Sequence, residues 1–334
     1  MMRTQSRQRI AVFGAGAWGT ALAQAFSTAH DVSLWGRDTE HLQTLGLTRE
    51  NRRYLPNVRL SERLHVEPDF ALAAQAADLH VVVTPLAGLR DTARALHRLR
   101  PGTPLLWACK GLEAGSGRLP HEIIAEELGP DSASGVLTGP SFAAEVARGL
   151  PTAITLAATN EAFAHRWVAT LHQPHLRIYA NTDVVGCEIG GAIKNVMAIA
   201  AGVSDGMGFG LNARAALITR GLAEISRLAA ALGGRSETLM GLTGMGDLIL
   251  TCTGDLSRNR RVGLELAKGS TLADILRDLG HVAEGVSTAR EAVELARRNG
   301  VEMPICEAVD ALLHHGMDAR SAVERLLARD PRHE

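Results

Sequence analysis

The chain has 334 residues, with 35 Lys+Arg against 36 Asp+Glu, 46% apolar and 21% charged residues, 34 glycines and only 4% aromatics. This composition excludes a disordered chain, and the balanced charge removes the electrostatic basis for non-specific nucleic-acid binding. The length exceeds the roughly 250–300 residues at which a single core stops growing, so two domains are expected.

In chain order, the start Met1 to Arg9 is polar and lacks an apolar h-region, so no signal peptide is expected. Ile10–Phe13 reads as a buried strand, followed by glycines and a helix over Thr20–Phe26. Further strands are expected at Val32–Trp35, Leu79–Val83, Leu105–Ala108, Gly135–Leu137, Ala153–Leu156 and Leu176–Tyr179, separated by helical stretches. That alternation predicts βαβ units and a Rossmann-type, doubly wound, mostly parallel sheet in an α/β domain over 1–185. From about Val184 to Asp330 no strand is expected and helical periodicity dominates, with stops at Gly233-Gly234, Lys268-Gly269 and Asn299-Gly300. An all-helical C-terminal domain over 186–334 follows, ending in a charged, frayed tail from Arg329. No uninterrupted apolar run approaches the roughly 18–20 residues of a membrane span. Four widely spaced cysteines without a CxxC argue against a disulfide framework or a zinc site, and for a reducing, cytoplasmic setting. None of the 13 histidines has metal-ligand or His/Asp catalytic spacing, and no metal is expected.

Gly14-Ala15-Gly16-Ala17-Trp18-Gly19 is GxGxxG directly after a strand and opening a helix. In that context Gly14 permits the tight turn, Gly16 lets a pyrophosphate approach the backbone, and Gly19 lets helix and strand pack closely. At the second strand end Arg37 precedes Asp38. A guanidinium pairs with a 2′-phosphate, so NADP(H) is tolerated, and Asp38 keeps NAD(H) possible.

Four other segments carry chemistry. Lys110, in Cys109-Lys110-Gly111-Leu112-Glu113, follows a buried strand and is expected at the C-terminal edge of the sheet, where ligands bind. Thr138-Gly139-Pro140-Ser141-Phe142-Ala143 is a rigid turn that can offer N–H groups and a hydroxyl. Lys194 is the lone charge in Ile189–Ser204, so burial should lower its pKa toward the range a general acid/base needs. Asp247, among glycines and apolar residues, should pair with a cation, Lys194 first. Ser257 can cap a helix starting at Arg258, and a capped helix start bearing Arg258, Asn259, Arg260 and Arg261 suits an anion.

The segments GAGAWGTALA, WGRD, KGLE, TGPSFAAEVARGLPTA, EIGGAIKNVMAIAAG, GLTGMGDLILTCTGDLSRNRRVG and AEGVSTA resemble the bacterial NAD(P)-dependent glycerol-3-phosphate dehydrogenase family, in order from residue 14 to 289. Thr138 stands where that family commonly has Ser. The resemblance implies reversible hydride transfer between sn-glycerol 3-phosphate and dihydroxyacetone phosphate, supplying glycerol 3-phosphate for phospholipid synthesis, in a cytoplasmic homodimer. It implies Lys194 as proton donor and acceptor at the C2 oxygen, Asp247 as its orienting counter-charge, and Lys110 in contact with substrate and near the nicotinamide. Gly139 and Ser141 would line the substrate, with Thr251 a further substrate residue. Arg258 and Asn259, beside Ser257, would hold the phosphate. Trp18, Arg37, Tyr54, Ala143, Val282 and Glu284 would contact the nucleotide, Arg258 beside them. Lys110 and Arg258 would depress the Lys194 pKa and Asp247 would oppose them. Two other readings stay open on the residues alone: a β-hydroxyacid dehydrogenase of the same architecture acting on a carboxylate, and a non-catalytic NADP-sensing regulator.

Overall fold

The computed structural model describes residues 7–280 and 282–327. The polar residues 1–6 and the charged tail from 328 lie outside the described residues. Contacts group the chain into two compact units: residues to Cys109 with Pro120–Val184, and Lys110–Leu119 with residues from Val185 onward.

The first unit runs β1 (Arg9–Phe13), α1 (Ala17–Phe26), β2 (Asp31–Trp35), α2 (Thr39–Thr48), β3 (Glu50–Asn51), β4 (Leu55–Arg59), β5 (Leu64–Val66), α3 (Phe70–Ala76), β6 (Leu79–Val82), α4 (Leu89–Leu99), β7 (Leu105–Trp107), α5 (Pro120–Leu128), β8 (Ser134–Thr138), α6 (Ala143–Ala147), β9 (Thr152–Ala157), α7 (Glu161–Leu171) and β10 (Leu176–Asn181). Eight strands form one sheet in the order β10-β9-β8-β7-β6-β1-β2-β5. All neighbours are parallel except β8 and β9, which pair antiparallel with Leu137 opposite Leu156. The central strands are buried on both faces, which is why they read as continuous apolar runs. The chain leaves β1 toward β2 on one side and returns through β6 on the other. The C-terminal end of β1 is therefore the topological switch point, where ligands bind in open α/β sheets. β3 and β4 form a separate antiparallel ribbon. The core comprises residues such as Val12, Leu22, Phe26, Leu34, Val81, Leu106 and Trp167.

The second unit is helical: α8 (Val184–Gly206), α9 (Gly210–Ala231), α10 (Ser236–Leu239), a π-helical turn at Leu242–Gly246, α11 (Asp247–Thr253), α12 (Arg258–Ala267), α13 (Leu272–Leu279), α14 (Glu284–Arg298), α15 (Pro304–His314) and α16 (Ala319–Leu327). No strand occurs here among the described residues. The expected stops hold: Gly233, Gly269 and Gly300 all take positive φ just past α9, α12 and α14. By length and composition α8 could cross a membrane, but 94% of its most apolar window is buried inside the protein, so it is a core helix. Its Ile189, Ile193, Val196, Met197 and Ile199 pack with Leu112, Leu119, Ile225, Leu228, Leu248 and Ala289. Glu224 on α9 is also buried, accepting the Ile305 and Cys306 N–H groups at 2.8 and 3.4 Å at the start of α15. All four cysteines are buried, and none is in a disulfide.

Candidate active site

The fingerprint glycines take three distinct geometries. At Gly14 the chain leaves β1 with φ +129°, and a Cβ there would lie 2.5 Å from the Val83 carbonyl oxygen. A Cβ on Gly19 would lie 1.8 Å from the Gly14 carbonyl oxygen, so the first turn of α1 touches the preceding turn through backbone alone. Gly16, the N-cap of α1, has nothing within 4 Å of its Cβ position, and no side chain caps that helix. Uncapped N–H groups, the positive end of the helix and open space thus coincide, which is the cradle a pyrophosphate needs. The residues present fit a dinucleotide. Trp18 lies half-buried one residue before Gly19.

At the end of β2, Arg37 is exposed and makes no hydrogen bond or ion pair among the described residues. Asp38 is engaged: it caps α2 by accepting the His41 N–H at 3.0 Å and pairs with Arg53 at 3.2 Å. Arg53 also lies over the Tyr54 ring at 5.1 Å. A guanidinium without a partner is available to a 2′-phosphate. At the end of β8, Gly139 has φ +130° and Ser141 Oγ donates to its carbonyl at 3.0 Å, closing the turn before Ala143 opens α6.

In the helical unit, Lys194 sits mid-way along α8 among fully buried apolar neighbours and is itself 7% exposed. Its ammonium donates to Asp247 Oδ1, and Lys110 Nζ donates to the other oxygen, Oδ2, at 2.7 Å. One buried carboxylate therefore bridges two ammoniums. Thr251, one turn along α11, donates to the Asp247 carbonyl at 2.6 Å, with a longer contact of 3.4 Å to Oδ1. Glycines bring these parts together: a Cβ on Gly190, one turn before Lys194, would lie 2.6 Å from the Thr243 carbonyl oxygen in the π-helical turn. Such turns recur at functional sites, and this one leads directly into Asp247. Lys110 arrives on a loop whose Leu112 and Leu119 are part of the helical core, and whose Gly115 N–H donates to Glu291 of α14 at 3.0 Å.

Burial drives the Lys194 pKa down; Asp247 raises it, Lys110 lowers it further, and it settles at about 7. Arg258, expected from the sequence to share in this depression, is not among the groups that set it; burial and Lys110 suffice. Burial pushes Asp247 up, but the ammoniums of Lys110 and Lys194 outweigh that and hold it below the ordinary carboxylate range. The cluster can thus hold a proton on Lys194 or release it near neutral pH.

α12 starts as expected. Ser257 Oγ accepts the Arg260 N–H at 3.2 Å. Arg258 keeps surface open to solvent and makes no hydrogen bond or ion pair among the described residues. Crowding around its guanidinium lowers its pKa against the pull of the Glu284 carboxylate. Asn259 is buried with both amide ends engaged: Nδ2 donates to Asn195 Oδ1 at 3.0 Å and Oδ1 accepts the Gly285 N–H at 3.0 Å. A primary amide has two N–H donors, so one remains for an anion. Val282, 51% exposed, and Glu284 lead into α14. Asn195, which this bond joins to α12, was missed in the sequence; its signal was a second polar side chain directly after Lys194 in the apolar middle of α8.

Two family models match the chain in order. One, described as the NAD-dependent glycerol-3-phosphate dehydrogenase N-terminus, covers residues 9–164, and the corresponding C-terminus covers residues 183–324. The chain belongs to the NAD-dependent glycerol-3-phosphate dehydrogenase family. A relative from Aromatoleum aromaticum, named as an NAD(P)+-dependent glycerol-3-phosphate dehydrogenase, is 75% identical over 327 residues, covering 98% of this chain and 100% of the relative. One of the same name from Dechloromonas aromatica is 59% identical over 326 residues, covering 98% and 99%. A crystal structure of glycerol-3-phosphate dehydrogenase from Coxiella burnetii matches with a TM-score of 0.93 at 40% identity, covering 97% of this chain and 99% of that one. The motif resemblance and the Rossmann-plus-helical fold class are both borne out. This glycerol-3-phosphate dehydrogenase family member is an oxidoreductase with an NAD(P)-binding Rossmann domain.

Proposed function

We propose that this chain catalyses reversible hydride transfer between sn-glycerol 3-phosphate and dihydroxyacetone phosphate, with Lys194 as proton donor and acceptor at the C2 oxygen. The observation that carries this reading is the buried cluster in which Asp247 bridges Lys194 and Lys110. When bound, the reduced nicotinamide supplies the hydride. Lys194, with a pKa of about 7, gives its proton to the C2 oxygen in reduction and takes it back in oxidation, so negative charge does not accumulate there. Asp247, steadied by Thr251, aims and charge-balances Lys194. Lys110 contacts the substrate oxygen, and Gly139 and Ser141 line the substrate. Arg258 and the remaining Asn259 N–H, at the Ser257-capped start of α12, hold the phosphate. Gly14, Gly16 and Gly19 cradle the pyrophosphate, with Trp18, Tyr54, Ala143, Val282 and Glu284 as further nucleotide contacts and Arg258 beside them. Arg37 at the end of β2 takes the 2′-phosphate of NADP(H), and NAD(H) is the weaker cofactor. We place the enzyme in the cytoplasm as a homodimer, supplying glycerol 3-phosphate for glycerophospholipid synthesis.

The test is Lys194→Ala, assayed with dihydroxyacetone phosphate and NADPH. Turnover should fall about 10²–10⁴-fold, the usual worth of a general acid, while NADPH binding survives. Near-wild-type turnover would overturn the assignment. Faster turnover of 3-oxo acids than of dihydroxyacetone phosphate by the wild type would favour a carboxylate substrate.

A further inference from the structure

Asp205 is a buried carboxylate that the proposed reaction does not use. It lies at the C-terminal end of α8, the helix that carries Lys194, with its side chain 7% exposed. Its Oδ1 accepts from Arg214 Nε on α9 at 2.8 Å. Its Oδ2 accepts from Arg260 Nε at 2.9 Å and pairs with Nη2 of the same guanidinium at 2.8 Å. Arg260 is also the residue whose backbone N–H is capped by Ser257. Its side chain is thus tied to α8, while its main chain closes the turn bearing Arg258 and Asn259.

The crossing of α8 and α12 leaves no slack along this tie. A Cβ on Gly202 would lie 2.0 Å from the Arg260 carbonyl oxygen, and one on Gly263 would lie 2.0 Å from the Ile199 carbonyl oxygen. The helices meet backbone to backbone. Van der Waals contact fixes their separation but resists sliding weakly, whereas a two-nitrogen fork on a carboxylate fixes direction. At the other edge, the Asn259–Asn195 bond gives a second point of attachment beside Lys194.

We infer that Asp205 is a positioning residue for the substrate's phosphate: through Arg260 it fixes the start of α12 against the helix carrying the proton donor, and so sets where Arg258 and Asn259 meet the phosphate. The inference rests on the reading of that helix start as the phosphate site. Electrostatics alone predicts the opposite sign. Removing an anion near an anion site would strengthen attraction for the phosphate and lower KM.

The experiment is steady-state kinetics on the full-length enzyme with dihydroxyacetone phosphate and NADPH, with inorganic phosphate as a competing probe. Asp205→Asn should raise both the KM for dihydroxyacetone phosphate and the Ki of phosphate about tenfold, as loss of one charge-assisted contact does, with kcat changed less than twofold and the KM for NADPH unmoved. Arg260→Gln, which also releases the exposed Asp255, should give at least the same rise, and the double variant no larger one than Arg260→Gln alone, because Asp205 acts through Arg260. Arg214→Gln, which leaves the Asp205–Arg260 pair in place, should move KM much less. A fall in KM for Asp205→Asn, additive effects in the double variant, or an equal rise with Arg214→Gln would overturn the inference. If Asp205→Asn fails to fold, Arg260→Gln alone decides through the same split between KM and kcat. Arg258→Ala separates the two levels. If it leaves KM unchanged, the phosphate reading itself fails; if it raises KM while Asp205→Asn and Arg260→Gln do not, only the positioning role fails.

Discussion

Replacing Lys110 by Met keeps the length of the side chain and removes its charge, which makes the tuning of Lys194 measurable. The two ammoniums hold opposite oxygens of the Asp247 carboxylate. Lys110 therefore helps to hold the Lys194 pKa down; like unit charges about 4 Å apart at an effective dielectric of about 20 repel by about 4 kcal/mol. The Lys110 side chain is 18% exposed, so solvent trims the effect; an upward shift of about 1–2 units is expected. Loss of Lys110 also frees Asp247 to act on Lys194 alone, which pushes the same way. Lys194 titrates at about 7 in the wild type. Reduction needs its protonated form, so the alkaline fall of kcat/KM for dihydroxyacetone phosphate should move to higher pH in Lys110→Met. Oxidation needs the neutral amine, so its onset should move up by the same amount. The assay is the pH dependence of kcat/KM in both directions, read from midpoints rather than heights, because Lys110 is also a proposed substrate contact whose loss should lower the rate. Asp247→Asn removes the group that raises Lys194 and should shift the midpoint down. An unmoved or lowered midpoint in Lys110→Met would refute the electrostatic account of the cluster.

Burial lifts the pKa of Glu224 to about 7 despite the two N–H groups it accepts. The folded value lies above the ordinary carboxyl value, so its contribution to stability is fully present below about 4.5 and is lost as pH rises through about 7. Glu224→Gln, which keeps an acceptor oxygen for α15, should therefore stabilise the protein at pH 8 by up to about 3 kcal/mol and change little at pH 4.5; urea melts at the two pH values check this. Gly202→Ala, with its Cβ 2.0 Å from the Arg260 carbonyl oxygen, should cost about 2–3 kcal/mol by overpacking. Retained stability in denaturant melts would contradict that contact. Arg37→Gln should lower the NADPH-to-NADH ratio of kcat/KM about tenfold, as loss of a charge-assisted phosphate contact does; an unchanged ratio would remove Arg37 from the 2′-phosphate site.

The central strands and the long helices were legible because burial on both sheet faces leaves uninterrupted apolar runs, and because the helices end at glycines with positive φ. β3, β4 and β5 were not, since Glu50–Asn51 is two residues long, Leu55–Arg59 contains Pro56, and Leu64–Val66 is three residues long. The antiparallel turn of β9 left no mark either, as strand direction is a property of the connection rather than of the strand's own residues. The pairing of Lys194 with Asp247 was readable because each is a lone charge in an apolar setting. The grip of Lys110 on the same carboxylate was not, because nothing local to residue 110 reports a partner 137 residues away. Asp205 was invisible for another reason: an acid at a helix end, followed by Gly206 and Gly208, looks solvated until its two arginines are seen.

The assignment of Lys110–Leu119 to the helical unit has a consequence for synthesis. The chain passes between units at 109/110, 119/120 and 184/185, so no single cut yields two complete halves. A fragment beginning at Val185 would lack Leu112 and Leu119 from its core and Lys110 from its charge cluster. As the nascent chain grows from its N-terminus, that ten-residue segment emerges long before the helices it packs against. A transplant or split version of the helical unit must carry it along, and the two-lysine cluster completes itself only after Asp247 has been made.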